Sequence, residues 1–74
     1  LKPDFAEAYN NLGYVYFKQS NYSLAISNFN KAIEQKPGYI GAHNNLGQAY
    51  INVGLRDKAR EQYDIVSKLT NKNR

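Results

Sequence analysis

Apolar and small residues recur along this chain at helical spacing in four separate stretches. In the first and third stretches they fall at i, i+3, i+4 and i+7, which is one face of an α-helix. The members of the first stripe are Tyr9, Leu12, Gly13 and Tyr16. Those of the third are His43, Leu46, Gly47 and Tyr50. We predict that both stretches are helices with these stripes turned into the core.

The second and fourth stretches carry stripes of the same period. The second contains Tyr22, Ala25, Ile26, Phe29, Ala32 and Ile33. The fourth contains Ala59, Tyr63, Val66 and Leu69. No stretch alternates with the period of a strand. The pattern therefore predicts an all-α protein with four helices, over approximately 5–19, 22–35, 39–53 and 56–70.

Polar residues and breakers stand where these helices should begin and end. Asp4 and Glu7 have the spacing of a capping box, and Asn21 is placed to N-cap the second helix. Ser20-Asn21 separates the first two helices, and the pair Pro37-Gly38 closes the first unit after the second helix. Gly38 also occupies the place that Asp4 holds earlier, so we expect a weaker start for the third helix.

Three glycines stand at positions where the residue type matters. Gly54 follows the third helix and suits a left-handed C-terminal turn. Gly13 and Gly47 lie in the middle of helices, where glycine costs about 1 kcal/mol relative to alanine. We expect Ala25 and Ala59 on the facing helices, so that small residues allow each pair of helices to approach closely.

The tetrapeptide NNLG occurs twice, at residues 10–13 and 44–47, 34 residues apart. The same shift aligns Ala8 with Ala42, Tyr16 with Tyr50, and Ala25 with Ala59. A fixed period of this size is typical of stacked helical repeats. It predicts the tail of a preceding repeat at 1–5, one repeat at 6–39, and a second repeat with the C-terminal end at 40–74. We also expect the chain, which starts without methionine, to be a piece of a longer protein.

The order of these residues resembles the tetratricopeptide repeat. In the first unit the family's positions hold Tyr9, Leu12-Gly13, Tyr16, Ala25, Phe29, Ala32 and Pro37. In the second they hold His43, Leu46-Gly47, Tyr50, Ala59, Tyr63 and Val66, and Asn71 replaces the closing proline. The resemblance implies an α-solenoid of antiparallel helix pairs. It also implies a groove lined by the first helix of each pair, which binds a protein or extended peptide and has no catalytic activity.

Eight residues on the first helices are candidates for peptide or protein binding in that groove. They are Asn10, Asn11, Tyr14, Lys18, Asn44, Asn45, Gln48 and Asn52. An asparagine amide both donates and accepts hydrogen bonds, so a row of amides suits the main chain of an extended peptide. This is similar to the asparagine ladder of nucleocytoplasmic glycosyltransferases with tetratricopeptide arms. The alternative is that Asn10 and Asn44 are solvated, while only Asn11 and Asn45 bond to neighbouring helices.

The apolar residues beside the groove divide into two kinds. We expect the exposed aromatic Tyr14 to contact a partner, as aromatic anchors often do. We expect Phe17 and Ile51 to pack between adjacent repeats. A carboxylate clamp of the kind that reads chaperone tails is not predicted, because Glu7 and Gly41 stand where such grooves need cations.

Composition limits the other functions. The chain of 74 residues has no cysteine and one histidine, so we predict no disulfide, no metal site and no cofactor. No catalytic motif appears, and His43 lies in a core stripe, so we predict no enzyme activity. No apolar run approaches the roughly 18 residues of a membrane span.

Two alternatives to peptide binding remain. The net charge of +4 suggests nucleic acid, but Arg56, Lys58 and Arg60 alternate with Asp57 and Glu61, which predicts a solvated helix face. The second alternative is self-association. Repeat proteins generally need about three units, so we expect a two-unit chain to dimerise, either face to face or by exchanging a hairpin.

Overall fold

The computed structural model describes residues 4–71, which form four α-helices and no strand. The helices are α1 (Phe5–Lys18), α2 (Tyr22–Gln35), α3 (Ile40–Asn52) and α4 (Arg56–Asn71). Each boundary lies within one residue of the predicted one. The all-α prediction is confirmed, because helical periodicity and local capping signals agree in every segment.

The helices form two hairpins that stack on each other. In the first hairpin α1 packs on α2, and in the second α3 packs on α4. Between the hairpins α2 packs on α3, and α1 also touches α3. The first helices of the two hairpins are therefore neighbours, which is the arrangement expected of an α-solenoid.

The best-buried cluster lies between the hairpins. Ala25 and Phe29 of α2 meet Leu46 and Ala49 of α3 there. Phe29 and Leu46 are the largest fully buried side chains of the described residues. Partly buried residues pack around the cluster: Tyr16, Phe17, Ile26, Ile33 and Tyr50. Because burial of a large apolar side chain contributes about 1.5–3 kcal/mol, this contact holds the two hairpins together.

The predicted core stripe of α1 is wrong at Leu12. Leu12 is 43% exposed, whereas its counterpart Leu46 is 1% exposed. The same side of α1 also exposes Phe5 and Val15. The physical reason is that α2 covers this side of α3, while no helix among residues 4–71 covers it on α1. We call Phe5, Leu12 and Val15 the outer face of α1.

The helix N-termini follow the capping signals of the sequence. The Asp4 carboxylate accepts a hydrogen bond from the Glu7 N–H at 3.0 Å. The Asn21 side-chain oxygen accepts from the Leu24 N–H at 3.4 Å. The N-cap of α3 is Tyr39, which makes no capping bond with its side chain. The weaker start predicted for the third helix is confirmed.

The C-terminus of α3 closes in a left-handed turn at Gly54, whose φ is 84°. The Gly54 N–H donates to the Ile51 carbonyl at 3.0 Å, and the Leu55 N–H donates to the Tyr50 carbonyl at 2.8 Å. This pair of bonds satisfies two carbonyls of the last helical turn and is a Schellman motif. The role predicted for Gly54 is confirmed.

The same turn ends α1, but with serine at the left-handed position. Ser20 has a φ of 61° and donates from its N–H to the Phe17 carbonyl at 2.9 Å. The Asn21 N–H donates to the Tyr16 carbonyl, also at 2.9 Å. A residue with a Cβ is strained in this conformation by about 1–2 kcal/mol. The first hairpin therefore keeps the turn geometry of the second at a higher conformational cost.

An aromatic ring lies directly over each mid-helix glycine. A Cβ at Gly13 would lie 2.7 Å from two ring carbons of Phe29 and 3.2 Å from the Ala25 carbonyl oxygen. A Cβ at Gly47 would lie 2.8 Å from the Tyr63 ring. The predicted close approach of the two helices in each hairpin is present. The side chain nearest each glycine is an aromatic ring, however, and not the expected alanine.

We expect Gly13→Ala to destabilise the protein although alanine favours helix formation. The clash with Phe29, which is fully buried, costs about 1–3 kcal/mol and exceeds the gain of about 1 kcal/mol in helix propensity. Gly47→Ala is the matched control, because Tyr63 is only half-buried and its ring has room to move. Thermal denaturation followed by circular dichroism should show the larger loss at Gly13. Equal melting temperatures for the two variants would contradict the packing argument.

We expect Ser20→Gly to stabilise the protein by about 0.5–1 kcal/mol, since glycine removes the left-handed strain while adding some unfolded-state entropy. The reciprocal change, Gly54→Ser, should destabilise the second hairpin by a similar amount. Urea denaturation of both variants measures the two effects. If Ser20→Gly does not stabilise the protein, or Gly54→Ser does not destabilise it, then a side chain is not strained at these two left-handed positions.

Candidate functional site

All eight candidate residues of the groove lie outside the core. Asn11, Tyr14 and Lys18 on α1 are exposed, as are Gln48 and Asn52 on α3. The other three candidates are half-buried: Asn10, Asn44 and Asn45. Because α1 touches α3, the two sets of side chains form neighbouring rows of one surface.

A hydrogen bond between two asparagines joins the rows. Asn45 donates from Nδ2 to Oδ1 of Asn10 at 3.0 Å. Asn10 donates in turn to the Tyr39 hydroxyl at 3.4 Å. This corrects the alternative that Asn10 is solvated and Asn11 bonds to a neighbouring helix. Because α1 and α3 lie side by side and parallel, the side of α1 that faces α3 is the opposite of the side of α3 that faces α1. Asn45 therefore contacts Asn10 and not Asn11, its counterpart in the repeat.

The asparagine pair keeps capacity for further hydrogen bonds. A primary amide has two N–H donors and an acceptor oxygen, and the interhelix bond uses one donor of Asn45. The neighbouring Asn11 side chain is exposed. The surface therefore offers one amide pair held in a defined orientation beside an exposed amide.

The α1 row ends in an ordered aromatic group. Tyr14 stacks on Phe17 with ring centroids 6.5 Å apart, and Phe17 meets the Tyr22 ring edge-on at 5.5 Å. The Lys18 ammonium lies 5.7 Å from the Tyr14 ring centroid. Phe17 packs against the buried cluster, as expected, so Tyr14 rests on a fixed neighbour while remaining exposed.

The α3 row differs at the corresponding end. The Asn52 amide donates to the Gln48 backbone carbonyl at 2.9 Å, which uses one of its donors within the helix. Ile51 is half exposed, so the prediction that it packs between repeats is wrong. Phe17 packs on a cluster that α3 completes, and no further first helix follows α3 among residues 4–71 to cover Ile51.

His43 is a buried structural residue. Its Nε2 lies 2.8 Å from the Pro37 carbonyl oxygen, and its Nδ1 lies 2.7 Å from the Gln62 amide. Because a carbonyl oxygen only accepts, Nε2 is the donor in the bond to Pro37. The imidazole thus ties α3 to α4 and to the loop before α3, with both ring nitrogens engaged.

The described residues contain neither a cluster of metal ligands nor a helix suited to span a membrane. Residues 4–71 contain no group of three His, Cys, Asp or Glu side chains close enough to share a metal ion. Nor does any of their helices have the length and apolar content that crossing a membrane requires.

One surface feature was missed by the sequence analysis. Arg56 and Arg60, expected on a merely solvated face, help to line a pocket of about 420 Å³. Its other lining residues are Ile51, Ala59 and Tyr63. The sequence pattern that indicates this pocket is the 34-residue shift, which aligns Arg56 with Tyr22 and Arg60 with Ile26. Lys58 lies apart from the pocket, with its ammonium 5.8 Å from the Tyr50 ring centroid.

Comparison with known proteins gives matches along nearly the whole chain. Two family models described as "Tetratricopeptide repeat" match residues 6–39 and 40–73. The crystal structure of MamA superimposes with a TM-score of 0.89 at 36% identity, covering 95% of this chain and 41% of MamA.

Two curated proteins are similar to this chain over a small share of their own length. The chloroplastic tetratricopeptide repeat domain-containing protein PYG7 of Arabidopsis thaliana is 43% identical over 64% of this chain and 16% of PYG7. The human protein O-mannosyl-transferase TMTC3 is 33% identical over 86% of this chain, but only 7% of TMTC3. The chain therefore spans a small part of these relatives.

Proposed function

Since the chain belongs to the tetratricopeptide repeat family, we propose that it binds an extended polypeptide through the groove formed by α1 and α3. Tetratricopeptide repeats are typically protein-interaction modules and generally non-catalytic scaffolds. The peptide main chain bonds to the asparagine amides, and one apolar side chain rests on Tyr14.

The bond between Asn45 and Asn10 is the observation that carries this proposal. It orients two amides across neighbouring helices before any partner arrives, which lowers the entropy cost of binding. Their remaining donors and acceptors match the alternating N–H and C=O groups of an extended chain. Recognition of the main chain sets few requirements on the partner's side chains.

Tyr14 supports the proposal from the α1 end of the groove. It is exposed, yet it stacks on Phe17 and lies beside the Lys18 ammonium. A rigid aromatic ring offers a large contact area with little loss of side-chain entropy. We assign Tyr14 as the anchor for an apolar or aromatic side chain of the peptide.

We expect Asn11→Ala and Asn45→Ala each to weaken peptide binding by about five- to thirtyfold, or about 1–2 kcal/mol. Peptides for the titration are selected on the immobilised chain from a display library of short unstructured sequences, and affinities are measured by fluorescence anisotropy. Asn30→Ala is the matched control, because Asn30 is an exposed asparagine on α2. Equal losses at Asn30 and Asn45 would reject the groove.

Main-chain recognition has its own test with the same peptides. N-methylation of a contacting peptide amide should cost at least about tenfold, since it removes a donor. Alanine substitution of most peptide side chains should cost little. The reverse pattern would leave the groove as the site but reject main-chain recognition.

Self-association is a second candidate function, favoured by the outer face of α1. Phe5, Leu12 and Val15 are exposed there, whereas α3 buries its corresponding Leu46 and Ala49 against α2. A second copy related by a two-fold axis would cover this face with the same face of its own α1. The association leaves the bonded pair of Asn10 and Asn45 on another side of α1.

We expect light scattering to show a dimer whose population rises over about a hundredfold range of concentration, as mass action requires. Leu12→Lys should give a monomer. Leu24→Lys is the matched control, because Leu24 on α2 is 43% exposed, like Leu12. A monomer at every concentration, or equal effects of the two lysines, would exclude this interface.

A further inference from the structure

The pocket beside α4 combines an apolar floor with two cations. Ile51 at the end of α3 and Ala59 and Tyr63 of α4 provide apolar surface. Arg56 and Arg60 complete the lining, and no acidic residue takes part in it. The acids of this part of α4 lie at 57, 61 and 64, which is a neighbouring face of the helix. We call this site the arginine pocket.

In the first hairpin the corresponding surface is covered by α3. The five lining positions correspond there to Phe17, Tyr22, Ala25, Ile26 and Phe29. Ala25 and Phe29 are fully buried, because α3 brings Leu46 and Ala49 onto them. Phe17 and Tyr22 close the adjoining space with an edge-to-face contact at 5.5 Å. The arginine pocket thus corresponds to the surface of the first hairpin that packs against α3, but no helix among residues 4–71 covers it.

Two arginines distinguish the arginine pocket from the corresponding surface of the first hairpin and change which helix can bind there. Arg56 stands where the first hairpin has Tyr22, and Arg60 stands where it has Ile26. A helix with a wholly apolar face would remove both guanidinium groups from water without compensation, which is costly. A helix that carries carboxylates beside its apolar residues would pair with them.

We propose that the arginine pocket binds an acidic amphipathic helix, which places an aliphatic side chain on Ala59 and Tyr63 and carboxylates on Arg56 and Arg60. The aliphatic contact follows from the way the first hairpin holds Leu46. The carboxylates follow from the two arginines. The arginine pocket contains none of the eight candidate residues of the groove, and the proposal does not depend on the function proposed for the groove.

A second copy of this chain does not meet the requirement. Consecutive helices joined by short loops are antiparallel, so the start of α2 lies beside the end of α3. A helix seated in the same way on α4 would set its last turns beside Arg56 and Arg60. The helix of a second copy that could occupy the pocket is α1, because its outer face is exposed while the apolar face of α2 is buried. The last turn of α1 carries Lys18, and the acids Asp4 and Glu7 stand at its other end. The partner is therefore a different, acidic helix.

The probe is a capped helical peptide of about 16 residues, long enough to be helical in water. It carries leucine and alanine three residues apart, two glutamates on the same face in its second half, and one tryptophan. The chain itself has no tryptophan, so peptide fluorescence reports binding directly. A second peptide with glutamines in place of the glutamates is the matched comparison.

We expect the glutamate peptide to bind at least about tenfold more tightly than the glutamine peptide. Arg60→Glu should abolish this preference, and a peptide with lysines in place of the glutamates should regain affinity for that variant. Arg60→Ile, which restores the residue of the first hairpin, should weaken the glutamate peptide and favour the glutamine peptide. Lys68→Glu, on an exposed part of α4 away from the pocket, should change neither affinity. Asn45→Ala in the groove should also be neutral.

Several outcomes would overturn the proposal. Equal affinity for the glutamate and glutamine peptides, or no binding of either, would show that the pocket does not select acidic helices. An equal loss in Lys68→Glu and Arg60→Glu would indicate attraction to the net charge alone. A loss in Asn45→Ala would place the peptide in the groove. Circular dichroism of each variant confirms that the four helices are intact.

Discussion

The contact that Phe29 makes with both of its neighbours supports the whole structure. Its ring lies over Gly13 of α1 at a distance that excludes a Cβ, and it shares a buried cluster with Leu46 of α3. One side chain therefore sets the spacing inside the first hairpin and the stacking of the second hairpin on it. The placement of α1 beside α3 follows, and with it the bond between Asn45 and Asn10.

This dependence explains why the groove can be ordered although it lies at the surface. The amide pair sits above a close-packed interface, where side chains have few alternative positions. Tyr14 is held in a similar way, because Phe17 packs on the same buried cluster. Side chains on the surface of a helical scaffold gain their orientation from the core beneath them, and here a single cluster lies beneath both rows.

The two ends of the stack differ in chemistry. At one end α1 exposes an apolar outer face, of which Leu12 is the centre. At the other end α4 presents arginines at positions that are aromatic or aliphatic in the first hairpin. The same repeat pattern thus produces a surface suited to apolar contact at one end and a surface that selects for negative charge at the other.

The sequence by itself determined the features that depend on local interactions. Helical periodicity placed the four helices, the side chains of Asp4 and Asn21 began two of them, and Gly54 ended a third. Sequence alone also indicated the repeat, because a shift of 34 residues aligned the two units. It identified the surface of α1 and α3 that carries the eight candidate residues.

Only the tertiary structure decided which equivalent positions are covered. Leu12 and Leu46 have the same residue type in the same tetrapeptide, yet one is exposed and the other buried. Asn10 bonds across the groove, while Asn11 points to solvent. Arg56 and Arg60 form a pocket with residues of two helices. Local sequence sets which face of a helix is apolar, but burial depends on whether another helix lies against that face.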